Sequence, residues 1–216
     1  MQLAQKWLSR LLGIFFTLLY NSVAASYDLV AWIVSLGRWK SWVLTSLPEL
    51  AGPRVLELGH GPGHLQVALN EKVLQTIGID LSRQMGKLAK RRLSKFEFPS
   101  SLVRAEAQNL PFARKSFDQV VATFPTEYIS SEESLEEIHR VAAEAGEFVI
   151  IPVAWITGKT LPERLMAALF HVTGQAGEWD GKIGKLVAEA GFKVEEKMIK
   201  LKGSEVLLLK AEKLSD

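Results

Sequence analysis

The sequence predicts an α/β protein: a doubly wound, mostly parallel sheet with helices on both faces and a hydrophobic helical extension at its N-terminus. Three observations predict it. From residue 54 onward, apolar runs of strand length alternate with stretches of helical period, and that alternation calls for crossovers between parallel strands. A glycine turn, GHGPG at 59–63, directly follows the first of these runs. The chain closes on two strand-like runs joined around Lys202 and Gly203, which read as a hairpin. A length of 216 residues suits one large domain with a real core.

Taken in order, RVLEL at 54–58 is a short apolar strand ended by Gly59, and HLQVALNEK is helical, with Leu65, Ala68 and Leu69 on one side. QTIGIDLS is a second strand. SRQMGKLAKRRLSKF at 82–96 is a helix capped at Ser82. SLVRAEA and FDQVVATF are the third and fourth strands. SSEESLEEIHRVAAEAG at 130–146 opens on serine, carries glutamates in its first turn and meets Gly146, so a helix is expected across the whole stretch. EFVIIPVAW is the fifth strand. The helix after it is apolar at Leu165, Met166, Leu169, Phe170 and Val172, wider than a single buried stripe. GKLVAEAGF reads as a helix ended by Gly191, and KVEEKMIKL and SEVLLLKAEK form the hairpin.

Charge and composition narrow the function. There is no cysteine, which excludes disulfides and thiolate metal sites, and no bound metal is expected. The net charge is +2, yet residues 82–96 carry six basic side chains and no acid, while 127–147 carry seven glutamates against Arg140 alone. Both segments read as solvated helix faces. Near the N-terminus, Lys6, Trp7 and Arg10 precede an apolar run from Leu11 to Tyr20. That run is about half the ~20 residues needed to span a bilayer. It suits a helix lying in the membrane interface. A secretory signal with SVAAS as its cleavage site, or a helix packed on the domain or a second subunit, are the other readings. The sequence GKT at 158–160 is not a phosphate loop, because the glycine such a loop needs five positions before Gly158 is Val153.

The glycine turn carries the chemistry. Its spacing is G-x-G-x-G, and a dinucleotide fingerprint would need glycine where His64 stands. Glycines after the first strand let a ligand approach the backbone at a helix N-terminus. Asp80 closes the next strand 21 positions after Gly59, where a carboxylate can take both hydroxyls of a ribose. Glu57 would repel a pyrophosphate and suits a cationic amino group. A ribose with a cationic amino-acid end describes S-adenosylmethionine. VLELGHGPG, GIDLSRQM and RAEAQNLPFARKSFDQVVATF, in that order, resemble the successive motifs of the class I methyltransferases, and YDLVAWIVSLGRWKSW resembles the N-terminal helix of their ubiquinone and menaquinone group. The resemblance covers residues 27–155 well.

The resemblance implies a Rossmann-like sheet of seven strands, one of them antiparallel and drawn from the C-terminal hairpin. It implies an extension or lid over 1–50, a methyltransferase domain over 51–216 and a cap inserted at 153–181. It places Glu57, Gly59, His60, Gly61 and Gly63 at the methionine end of S-adenosylmethionine and Asp80 at the ribose. Leu81 and Met85 would flank the adenine, and Glu106, Ala107 and Gln108 would line its edge. Thr123 and Phe124 would sit by the methyl group and Tyr27 over the cofactor. Candidate groups for the acceptor are Glu127, Tyr128 and His171. His64 reads as a helix-start residue and His139 as a surface one. TFPTEY at 123–128 lacks the Asn/Asp-Pro-Pro-aromatic pattern of enzymes that methylate planar amino groups, and the basic helix lacks interleaved aromatics; both argue against nucleic acid. The apolar N-terminus and cap point to a lipophilic acceptor. A prenylated quinone comes first, a phospholipid headgroup amine second, and a non-catalytic lipid-associated partner third. The expected setting is cytoplasmic and peripheral on a membrane, docked through residues 1–24; a homodimer is compatible with the same extension.

Overall fold

The computed structural model describes residues 24–72, 74–173 and 179–214, with the backbone alone for 24–27 and 169–173. Of the segment 1–24 expected to dock on a membrane, residues 1–23 lie outside the described residues. In chain order the elements are α1 (Ala24–Val34), α2 (Trp39–Val43), a 3-10 turn (Leu44–Glu49), β1 (Arg54–Leu58), α3 (His64–Glu71), β2 (Gln75–Ile79), α4 (Arg83–Ser94), β3 (Leu102–Val103) and β4 (Phe117–Thr123). A second 3-10 turn (Glu127–Ser130) leads to α5 (Glu132–Val141), β5 (Ala142–Ile156), α6 (Leu161–Thr173), α7 (Lys182–Glu189), β6 (Phe192–Leu201) and β7 (Ser204–Lys213).

The seven strands form one sheet in the order β3-β2-β1-β4-β5-β7-β6. β1 pairs in parallel with β2 and β4, and β4 with β5. β7 runs antiparallel between β5 and β6, so the hairpin supplies the single reversed strand. Leu201 pairs with Ser204 across the two-residue loop Lys202–Gly203. Apolar side chains fill both faces. Leu135, Ile138 and Val141 of α5 and Val187 of α7 pack on one, and Val43, Leu50, Leu65 and Leu69 on the other.

Three sequence expectations are corrected. α5 ends at Val141 rather than near Gly146, because Ala142 already pairs with Phe117. Sheet pairing overrides the helical propensity of AAEA, and Gly146 serves a bend inside a 15-residue β5, where Ala145 takes φ 53 and the register with β4 shifts. The cap leaves the sheet after Ile156, not at Val153, because Val153 through Ile156 pair with β7. His139 is half-buried rather than freely exposed, with its ring edge-on to Phe192 at 5.4 Å.

Thr160 and Glu163 explain the GKT segment. The Glu163 carboxylate accepts the Thr160 backbone N–H at 2.9 Å, the reciprocal arm of a capping box at the start of α6. Glu163 also pairs with Arg38, and Arg38 Nε donates to the Lys202 carbonyl at 3.3 Å. The cap, the N-terminal helices and the hairpin turn are thereby joined at the carboxyl edge of the sheet.

Candidate active site

At the carboxyl end of β1 the chain reverses through Gly59, Gly61 and Gly63, with φ of 67, 50 and 83°. These left-handed values exclude most side chains. The Gly63 position is also closed by packing: a Cβ there would stand 2.8 Å from the Ala89 Cβ of α4. Around Gly61 there is open space, with nothing within 4 Å of an added Cβ. Gly63→Ala should therefore combine backbone strain with overpacking and destabilise the protein by about 2–4 kcal/mol. Urea unfolding would show this as a lowered midpoint with an unchanged slope.

Asp80 holds the turn. Its Oδ2 accepts the Gly61 N–H at 2.9 Å and its Oδ1 the Ser82 N–H at 2.8 Å. Ser82 in turn caps α4 by accepting the Met85 N–H. A carboxylate offers about four acceptor positions, so both Asp80 oxygens retain capacity for ligand hydroxyls. Beneath the turn Glu57 is only 2% exposed. It accepts from Gln66 Nε2 at 2.7 Å, and Gln66 accepts from the Thr76 hydroxyl. Burial pushes the Glu57 carboxyl up to about 8, with the Asp80 charge adding to the rise. Burial also lowers the affinity of His60 for a proton; its Nδ1 lies 2.7 Å from the Gly61 carbonyl oxygen.

A cavity of about 790 Å³ opens against this turn, within the range of small-molecule sites. It brings together Gly59, Asp80, Leu81, Glu106, Ala107, Gln108 and Tyr128 from the sequence-derived set. Leu81 presents an exposed apolar side chain there. The Tyr128 hydroxyl donates to the Leu58 carbonyl at 3.3 Å, which fixes the ring beside Gly59. The other residues of the set lie off this lining. Glu57 and His60 are buried, and Met85 is fully buried under α4. Thr123 is half-buried at the end of β4, and Glu127 is exposed. Phe124 adopts φ 49 and packs on Trp39 with ring centroids 4.5 Å apart. The side chains of Tyr27 and His171 lie outside the described residues.

The cavity also holds residues that sequence reasoning passed over. Arg104 Nε donates to the Leu81 carbonyl at 2.9 Å, and Ser82, Arg83, Gln84 and Thr126 complete the wall. The pattern D-x-S at the start of a helix was the available signal for Ser82. No local signal marked Arg92. It reaches from the basic helix to the Pro62 carbonyl and to Asp28 of α1, while His64 Nε2 stands 3.1 Å from the other Asp28 oxygen. The hydrogen bond to His64 and the nearby Arg92 charge hold the Asp28 carboxyl below its ordinary range. Arg92 thus ties the N-terminal helix onto the glycine turn. Among the described residues no cluster of three or more His, Asp or Glu side chains is placed to hold a metal.

Residues 55–146 match the family described as "Methyltransferase domain", and they span the glycine turn, Asp80 and the whole cavity lining. Residues 55–146 form a class I S-adenosylmethionine-dependent methyltransferase domain. A demethylmenaquinone methyltransferase from Paenarthrobacter aurescens is 31% identical over 70% of this chain and 61% of its own. A ubiquinone/menaquinone biosynthesis C-methyltransferase from Xanthomonas oryzae pv. oryzae is 30% identical over 65% of this chain and 59% of its own. The methyltransferase described here therefore spans less than two thirds of these relatives. Among solved structures, phosphoethanolamine N-methyltransferase 2 of Haemonchus contortus, with S-adenosyl-L-methionine bound, superposes with a TM-score of 0.56 at 18% identity, over 81% of this chain and 52% of that one. That likeness is one of fold. S-adenosylmethionine is the cofactor of this methyltransferase, and the open space at Gly61, the cavity volume and the spare acceptor capacity of Asp80 fit it.

Proposed function

We propose that the protein transfers the methyl group of S-adenosylmethionine to a lipophilic ring of the quinone class, presented at a membrane surface. The observation that carries this reading is the single cavity joining Gly59 and Asp80 to Tyr128. It supports the reading because the proposed ribose anchor, Asp80, and the phenol of Tyr128 share one space. The names of the sequence relatives support the acceptor class. Residues 1–24, with their basic and aromatic flanks, are the proposed membrane anchor.

When bound, S-adenosylmethionine supplies an electrophilic methyl group on a good leaving group. The chain's own share is binding, orientation and exclusion of water. Asp80 would orient the ribose, Leu81 would cover the adenine, and Glu106, Ala107 and Gln108 would line its edge. Tyr128 would hold an oxygen of the acceptor ring, and Glu127, beside it on the second 3-10 turn, is the exposed carboxylate available to take a proton.

The test is transfer of labelled methyl to demethylmenaquinone and, in parallel, to phosphatidylethanolamine. Labelled quinone alone supports the proposal, and labelled headgroup alone replaces it. In the productive assay Tyr128→Phe should lower turnover roughly tenfold, on the scale of one lost acid–base or orienting contact, while calorimetry shows S-adenosylmethionine affinity changed less than about threefold. Full turnover in both Tyr128→Phe and Glu127→Gln would move the acceptor contacts elsewhere, toward His171 and the cap.

A further inference from the structure

Helix α1 is built the wrong way round for a helix of a water-soluble domain. Its polar residue Asp28, with Ala31 and the following Ser35, faces the domain: Asp28 binds His64 and Arg92, and Ala31 and Ser35 are buried. Its large apolar residues face out, with Leu29, Trp32 and Ile33 exposed to 57, 61 and 46%. Contiguous apolar exposure of this kind marks an interaction site.

The neighbouring flank of α4 is basic. Arg92 joins α1 to α4, and on the helical geometry of α4 the residues Arg91 and Lys95 lie on the flank nearest Arg92. Both are exposed, as is Lys87 one turn away, and none of the three forms an ion pair with an acid among the described residues. An apolar patch bearing tryptophan and bordered by unpaired cations matches the boundary of an anionic bilayer, where tryptophan settles at headgroup level and Lys or Arg meets lipid phosphate. A second copy docking on the same patch about a two-fold axis would set these cations against one another. In the sequence, residues 1–23 before α1 carry Lys6, Trp7, Arg10 and the apolar run 11–20.

We infer that the outward face of α1 (Leu29, Trp32, Ile33) and the adjoining basic flank of α4 (Lys87, Arg91, Lys95) form a docking surface for an anionic lipid bilayer. The surface belongs to the folded domain itself. Because Arg92 fastens α1 to Pro62 in the glycine turn, docking holds the carboxyl edge of the sheet, and with it the cavity, against the lipid. This deepens the proposed function and rests on its lipid acceptor for its purpose.

The experiment is co-sedimentation of the full chain with phosphatidylcholine vesicles, with and without phosphatidylglycerol. Three variants are compared: Leu29→Ser/Trp32→Ser/Ile33→Ser, Arg91→Glu/Lys95→Glu, and the control Lys182→Glu/Lys185→Glu on α7, which packs on the other face of the sheet. The intact protein should bind the anionic vesicles more tightly, with affinity falling as salt rises. The apolar triple variant should lose roughly tenfold or more in affinity. The α4 reversal should lose severalfold and flatten the salt dependence, the control should bind as the parent does, and all should keep their S-adenosylmethionine affinity. Vesicle binding unchanged in the triple variant, absent in the parent, or weakened equally by the control would overturn the inference. A parent that binds vesicles but methylates no quinone leaves the docking surface standing and removes the acceptor; one that methylates a short-chain soluble quinone and ignores vesicles does the reverse.

Discussion

Replacing Asp80 by alanine is expected to weaken S-adenosylmethionine binding at least tenfold, in the largest single loss of any substitution in the cavity wall. Two effects combine. The first is removal of the charged acceptor for the ribose hydroxyls, each such hydrogen bond contributing ~1.5–3 kcal/mol. The second is in the protein itself. The same carboxylate accepts the N–H groups of Gly61 and Ser82, so its loss leaves two backbone donors without a partner and frees the turn to relax. Asp80→Asn separates the two, because its single amide oxygen can still accept from one backbone donor. Calorimetric titration with S-adenosylmethionine should rank wild type, Asp80→Asn and Asp80→Ala in that order. Unchanged affinity in a folded Asp80→Ala protein would remove Asp80 from the cofactor site.

Glu57→Gln should raise stability at alkaline pH and lower cofactor affinity. The Glu57 carboxyl is buried and pushed up to about 8, while in the unfolded chain it ionises near its ordinary value of about 4.3. A carboxyl whose affinity for a proton is higher when folded supports folding fully below the unfolded value. That support declines as the unfolded chain ionises first, and is gone once pH passes about 8. Linkage makes the loss on the order of 5 kcal/mol across this window. Glutamine never ionises and still offers an oxygen to Gln66 Nε2, so the variant keeps what the wild type loses. The two proteins should unfold at similar temperatures at pH 4.5, and the variant should lead by roughly 8 °C or more at pH 8.5. A difference independent of pH would show that Glu57 does not ionise within this range. The binding loss would follow from removing the one acid beneath the turn whose ionised form a cationic ligand favours.

The strands and the closing hairpin were readable because their cues are local. Apolar runs such as RVLEL and VLLL bury both faces wherever they sit in a sheet covered by helices on both sides, Lys202–Gly203 has the length of a hairpin loop, and Ser82 and Ser131 cap the helices that follow them. The glycine turn and Asp80 were readable for the same reason: left-handed backbone needs glycine, and a carboxylate after the second strand needs no distant neighbour to be recognised. The tertiary structure alone decided the rest. It ended α5 at Val141, because Ala142 meets Phe117 across the sheet. It buried Met85 outside the cavity wall and set Arg104 in it. It turned Arg92 from a member of a solvated basic face into the clamp between Pro62 and Asp28, and it reversed the polarity of α1. Each of these depends on which side chain arrives from a distant part of the chain to desolvate, pair with or displace another. Helical and strand period dictates which residues share a face; what that face meets is a property of the packed sheet.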